Sequence, residues 1–429
     1  MRKKTGVGLL AGGVVLLFAA GGALWLRRVE RARELNERAQ RLLHPPLTEA
    51  ASWRELRASE AREFAEEAES LAPSARGAGL LREARIAQQL QRGDFAEAER
   101  LLASAPAQPR KPGLILLSAA LALAQRRAPL AQLRLDALPP ALRDEPQALI
   151  VRSDIARALG HAEAALVAAE SGIARAPRSA ALFERRGLAR ELLADPAGAR
   201  ADLERAAALD RQSDGALLSL GRLRRSAGDL TGAVLAFHEA TQRQPDDAEA
   251  WLGSGVCRAA LGDLVSARVD LERAGALAPA RAEPLIALAD VDANEGDLEG
   301  ALRRYRAAVL LDPDSVAARV KLGNTLLRSG AAQDATPAFR AAIERRPDLA
   351  AAHNGLGAAL LAQGELIAAE DELKRAAELD PNDANPLLNL ARLYKRRGDS
   401  ALLADALAQA EARDPQHRPA PASLVGTSR

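Results

Sequence analysis

The sequence predicts an all-α fold, a solenoid of repeated helix–turn–helix units behind an N-terminal transmembrane helix. Three observations carry this expectation. Proline recurs every 34 residues from Pro177 to Pro415. Alanine and leucine fill the apolar positions while aromatic residues make up only 3% of the chain, so the interior is one of closely approaching helices, without the bulky aromatics that fill most globular cores. Residues 7–26 carry no charge and lie between two basic clusters.

The N-terminal run comes first. As a helix, 7–26 extends about 30 Å, enough to cross the hydrocarbon core of a bilayer. Trp25 stands where an interfacial aromatic belongs. The alternative is a cleaved signal peptide with Gly21-Gly22-Ala23 as the cleavage site; continuation of the apolar run through Leu24-Trp25-Leu26 favours an uncleaved anchor, 1–26. The arginines that follow the span lean toward a cytoplasmic body. A short tail carrying Arg2, Lys3 and Lys4 resists translocation, and on that ground the body is assigned to the periplasmic side of an inner membrane. Gly8 and Gly12 form one GxxxG, which fits a weak homodimer.

Next, 27–78 reads as a charged helical linker with an extra helix at 48–72, hinged at His44-Pro45-Pro46. Residues 79–145 read as degenerate repeats: RGDFAEAERLL (92–102) keeps a turn, whereas Pro129 and Pro139-Pro140 interrupt 112–145. Eight regular units fill 146–417, and 418–429 reads as a disordered tail.

Within the eight units the columns align. Stepping by 34 from Pro313 meets Pro at 177, 245, 279, 347, 381 and 415, with Arg211 the one departure. Seventeen residues before each stop stands Gly160, Gly228, Gly262, Gly296, Gly330, Gly364 or Gly398, with Ala194 the exception. An acidic residue usually follows, the pattern that ends one helix and caps the next. Small residues recur where two helices must approach, such as Ala233, Ala267 and Ala301 on the second helix and Gly221, Gly255 and Gly323 on the first. Large ones, including Phe237, Leu271, Tyr305 and Phe339, plug the space beside them. A period of this size marks a repeat architecture.

These residues resemble the tetratricopeptide repeat. The stretch AEAWLGSGVCRAALGDLVSARVDLERAGALAP (248–279) carries the family's Trp, Gly, Ala, Leu, Ala and Pro in order. The resemblance implies a right-handed α-solenoid in which the first helix of each unit lines a concave groove that binds proteins or peptides.

Chemistry is hard to place. The five histidines lie one per distant segment, and the single Cys257 permits neither a disulfide nor a cysteine zinc site. No phosphate loop or nucleophile motif is present, so neither catalysis nor a metal or other cofactor is expected. The net charge of +2 comes from arginines interleaved with acids, which together with scarce aromatics argues against nucleic acid. Heavy use of Ala and Arg suggests a GC-rich bacterial genome.

What remains is the groove. Its expected apolar part is Leu252 and Val256. Its expected peptide-binding part is polar and basic: Lys321, Asn324, Arg328, Asn354, Asn389, Arg392, Lys395 and Arg396. Asparagine pairs with both polar groups of a peptide backbone, and Lys or Arg accommodates a carboxylate. An acidic or C-terminal peptide is the expected ligand, although Val320 stands where a carboxylate clamp of this family has its leading Lys. The functional expectation is a membrane-tethered scaffold for envelope complex assembly. The alternatives are a holder of unfolded clients and a non-catalytic accessory subunit of an envelope enzyme.

Overall fold

In the computed structural model, the residues described are 30–40, 58–71, 75–105, 112–211 and 214–413. The apolar run 7–26 with its Gly8 and Gly12, the hinge at His44 and the tail 418–429 lie outside them. Among the described residues no helix is long and apolar enough to cross a membrane.

The chain divides into two compact units, Met1–Pro245 and Asp246–Arg429. The first contains α1 (30–40), α2 (Ala58–Leu71), α3 (Ala75–Arg92), α4 (Phe95–Ala103), α5 (Pro112–Ala124), α6 (Ala128–Asp136), α7 (Pro146–Ala158), α8 (Ala162–Arg175), α9 (Ala180–Leu192), α10 (Pro196–Leu209), α11 (Gly215–Ser226) and α12 (Leu230–Arg243). The second contains α13 (Ala248–Ala260), α14 (Leu264–Leu277), α15 (Glu283–Glu295), α16 (Leu298–Leu311), α17 (Val316–Arg328), α18 (Ala332–Arg345), α19 (Ala350–Gln363), α20 (Leu366–Leu379), α21 (Asn385–Arg397) and α22 (Ser400–Arg413). Each unit is a solenoid of antiparallel helix pairs, and no strand occurs among the described residues.

The turn and the stop follow from local chemistry. Gly296 takes φ +87°, closing α15 in the left-handed conformation that glycine adopts without steric cost. The Asp297 carboxylate then accepts from the Gly300 N–H at 2.8 Å and satisfies an open donor of α16. At the other end α16 closes on Asp312, whose N–H donates to the Ala308 carbonyl at 2.9 Å. Pro313 offers no N–H to continue the helix. Ser315 restarts the chain, its hydroxyl accepting from the Ala318 N–H at 3.3 Å.

Packing explains the small columns. A Cβ on Gly323 of α17 would stand 2.6 Å from the Phe339 ring of α18, and one on Gly255 of α13 would stand 2.6 Å from Leu271 of α14. Phe339 is wholly buried and faces Gly355 of the following pair as well. The glycines let helix axes approach until large side chains fill the space between them.

The segment 112–145 keeps the period better than its sequence suggests. Helices α5 and α6 begin at 112 and 128, each 34 residues before α7 and α8. Pro129 does not interrupt α6: it lies in the first turn, where a missing N–H costs nothing. Arg126 holds φ +59° where the regular units have glycine, as Ala194 does at φ +58°. Only Pro139-Pro140 breaks the pattern, ending α6 at Asp136 and substituting a 3-10 turn at Pro140–Leu142. Upstream, Gly93 (φ +76°) and Asp94, which accepts from the Glu97 N–H at 3.1 Å, form the same turn between α3 and α4. Helix α3 runs continuously across the 78/79 boundary, and α1 packs on α2 through Ala32, Leu35 and Ala68.

Candidate protein-interaction surface

In the second unit a groove of about 420 Å3 opens along the first helices α13, α15 and α17. Val256 and a patch of alanines form its apolar part, and Asp290, Tyr305, Lys321, Asn324 and Arg328 form its polar part. Four of the expected site residues therefore meet in one groove: Val256, Lys321, Asn324 and Arg328. Leu252 is half-buried and packs on the core cluster of Leu271, Leu288 and Val291.

The basic residues of this groove are engaged within the protein. Lys321 Nζ donates to both oxygens of Asp290, at 2.7 and 2.8 Å. The Tyr305 hydroxyl donates to Asp290 Oδ1 at 2.5 Å. Burial, followed by this hydrogen bond and the Asp290 charge, raises the Tyr305 hydroxyl well above its ordinary titration range, so it remains a donor. Arg328 donates to the Ala293 carbonyl at 3.1 Å, near the end of α15, where a cation also meets the negative pole of the helix. Asn324 is exposed and makes no hydrogen bond among the described residues. In the same groove Asn294 of α15 is exposed in the same way.

The other expected residues form a second cluster on α19 and α21. Asn389 Nδ2 donates to Asn354 Oδ1 at 2.8 Å, and Arg392 donates to Asn389 Oδ1 at 2.9 Å. Arg396 donates to the Leu361 carbonyl at 2.7 Å, repeating two pairs later the contact of Arg328 with Ala293. Lys395 is exposed on the last turn of α21.

Both patterns recur at corresponding positions of the first unit. Arg185 pairs with Asp154 at 3.2 Å, the same 31-residue separation as Lys321 and Asp290. Ser219 donates to Glu184 at 3.1 Å and Arg222 donates to Ser219 at 3.0 Å, matching Asn354, Asn389 and Arg392 five periods later. Neighbouring first helices thus exchange polar contacts in a fixed register, whatever else they bind. Sequence reasoning missed Asp290, Tyr305 and Asn294. The separation of 31 between an acid and a base was the signal that could have found the first.

Two models of the tetratricopeptide repeat match this chain, one at residues 218–282, 286–349 and 320–384, the other at 372–402. Residues 218–282 and 286–402 carry tetratricopeptide repeats, and the all-helical solenoid agrees with that match. The crystal structure of the APC/C hetero-tetramer Cut9–Hcn1 contains a chain similar in fold, at 17% identity with a TM-score of 0.60, over 93% of this chain and 74% of that one. PilF of Pseudomonas aeruginosa is 20% identical over 47% of this chain and 92% of its own, with a TM-score of 0.43. YrrB, a TPR protein with an unusual peptide-binding site, is 20% identical over 43% of this chain and 95% of its own, with a TM-score of 0.35. No curated protein matches the sequence.

Proposed function

We propose that the protein is a non-catalytic scaffold that holds a peptide segment of a partner protein in the groove of α13, α15 and α17. The observation that carries this reading is the unsatisfied, exposed pair Asn294 and Asn324 beside the apolar floor at Val256. A carboxamide donates and accepts at once, as a peptide backbone does. Lys321 is already neutralised by Asp290, so the groove selects backbone and small apolar side chains more than charge. Arg328 retains free donors at the rim for an acidic residue.

The membrane tether belongs to the same proposal. An uncharged run at 7–26 between basic flanks supports an anchor, with the repeats on the periplasmic face of an inner membrane and envelope complexes as the partners. A reporter fused after Arg429 reads the orientation: periplasmic activity agrees, and cytoplasmic activity reverses it.

The groove is tested by co-purification from cells expressing the full chain and a Val256→Asp, Asn324→Asp double variant. The expected result is a discrete partner set that the variant loses while its helical circular dichroism is retained. Equal recovery with both proteins overturns the assignment of the groove.

A further inference from the structure

Seven residues after each left-handed turn, the second helix of the pair presents one side chain to solvent. In the first unit the turns at Arg126, Gly160, Ala194 and Gly228 place Leu133, Val167, Ala201 and Leu235 there. Leu133 is 69% exposed, Val167 61% and Leu235 63%, and Ala201 is exposed between them. Elsewhere the same position takes a charge: Arg100 after Gly93, Arg303 after Gly296, Asp371 after Gly364 and Asp405 after Gly398, all exposed. Val269 and Pro337 complete the column. The repeat therefore does not require an apolar side chain at this place. Single exposed aliphatics are ordinary, but successive ones on neighbouring helices form a continuous apolar face.

The row is self-complementary. Its small member, Ala201 of α10, stands between Val167 of α8 and Leu235 of α12, one repeat away on either side. The second helices of successive pairs run in one direction. A two-fold axis laid parallel to α10 over Ala201 therefore sets Ala201 against its own copy and brings Val167 of each chain onto Leu235 of the other. One patch serves both partners, as an isologous contact requires.

The charges obey the same axis. From Ala201 the helical turn sets Glu204 about 60° to one side and Arg205 about 40° to the other. Glu204 lies toward α12, because it pairs with Arg224 of α11 at 3.3 Å. Asp202, paired with Arg186 of α9 at 2.6 Å, marks the opposite side, which is that of Arg205 and α8. Across the axis each Arg205 faces Glu204 of the other copy, as flanking charges do in parallel helix pairs. Arg205 is exposed and makes no hydrogen bond or ion pair among the described residues. Glu239, which the axis brings beside Glu170, is held by its own Arg243 at 2.6 Å. The acids bordering the row, Glu163, Glu170, Glu204 and Glu239, are repelled by an anionic lipid surface, which favours a protein over a bilayer as the occupant.

From the row and its charges we infer that the outer face of α8, α10 and α12 is a homodimer interface, covered by a second copy of this chain. The surface is built on second helices, separate from the groove at Asn324 and from Gly8 and Gly12.

The test uses the full chain with added cysteines and a short bis-maleimide cross-linker in intact cells. The parent, whose Cys257 is buried, sets the background. Ala201→Cys is expected to give a cross-linked dimer of the chain, and Leu310→Cys, at an exposed site of the second unit, to give none. Two differently tagged chains, one with Val167→Cys and the other with Leu235→Cys, are expected to join each other more than either joins itself. Added to Ala201→Cys, Arg205→Glu and Glu204→Arg each set like charges together and lower the yield about tenfold or more, whereas co-expressing these two chains restores it. The proposal is overturned if Ala201→Cys gives no dimer or joins another protein instead, or if Leu310→Cys gives as much dimer. It is equally overturned if the charge variants cross-link alone as well as they do together.

Discussion

The same substitution, glycine to alanine, has opposite signs at two helical positions of the second unit. In a helix interior alanine gains about 1 kcal/mol over glycine. At Gly275 of α14 the nearest atom to an added Cβ is Pro284 Cβ at 3.6 Å, an ordinary contact, so Gly275→Ala keeps roughly 0.5–1 kcal/mol of that gain. At Gly323 of α17 the new methyl meets Phe339 Cζ at 2.6 Å and the adjoining ring carbons at 2.8 Å. Carbon atoms rest at about 3.5–4.0 Å, so the ring must retreat by about 1 Å. It has no room, because Phe339 is fully buried and Gly355 closes the opposite side. Overpacking of this kind costs about 1–3 kcal/mol, which offsets or exceeds the propensity gain and leaves Gly323→Ala net destabilising by up to about 2 kcal/mol. Urea unfolding followed by circular dichroism gives the sign. Amide exchange over α14, α17 and α18 localises it, which matters because repeat arrays open regionally. Stabilisation by Gly323→Ala, or unchanged exchange in α17 and α18, refutes the wedge.

Four further outcomes follow from the turns, the ion pairs and the site. Ala194 holds φ +58° on an exposed turn, so Ala194→Gly raises stability by about 0.5–1 kcal/mol. Gly228→Ala, at φ +80° with open space around it, lowers stability by about 1 kcal/mol; denaturation midpoints check both. Glu370 accepts from Lys374, Tyr394 and Arg397, and the Lys374 hydrogen bond above all holds its carboxyl below the ordinary range. Because the folded value is depressed, the stabilisation is complete above the unfolded value of about 4.3 and is lost as pH falls through the folded one. Melting at pH 7 should therefore place Glu370→Gln about 1–2 kcal/mol below the parent, with the gap closing in acid; a gap constant with pH contradicts the pairing. Reversing Arg392 to Glu breaks its bond to Asn389 and, if the α19–α21 cluster belongs to the partner site, abolishes co-purification; unchanged recovery removes this cluster from the site.

The fold was legible because its determinants are local. A left-handed glycine, a capping aspartate and a stop at proline each leave a residue at a fixed place, as Gly296, Asp297 and Pro313 do. The unit at 112–145 was less legible because its turn is made by Arg126, a residue that strains rather than signals. Pro129 also means opposite things at a helix start and in a helix interior. The candidate site was half legible. Helical periodicity located Lys321, Asn324 and Arg328 together with Val256. It did not show that Asp290 neutralises Lys321, because that contact joins different repeats and depends on how closely their helices pack. Nor did it separate Asn354, Asn389 and Arg392, which bond to one another, from the groove.

The central claim is that the groove of α13, α15 and α17 holds a partner protein. Photo-crosslinking in living cells tests it most directly, with a benzophenone amino acid replacing Asn324 in the groove or, as a control, Leu310, which is 81% exposed on α16 and outside it. The account predicts one or a few discrete protein adducts from position 324 that position 310 does not give. No adduct from 324, or the same adducts from both positions, contradicts it.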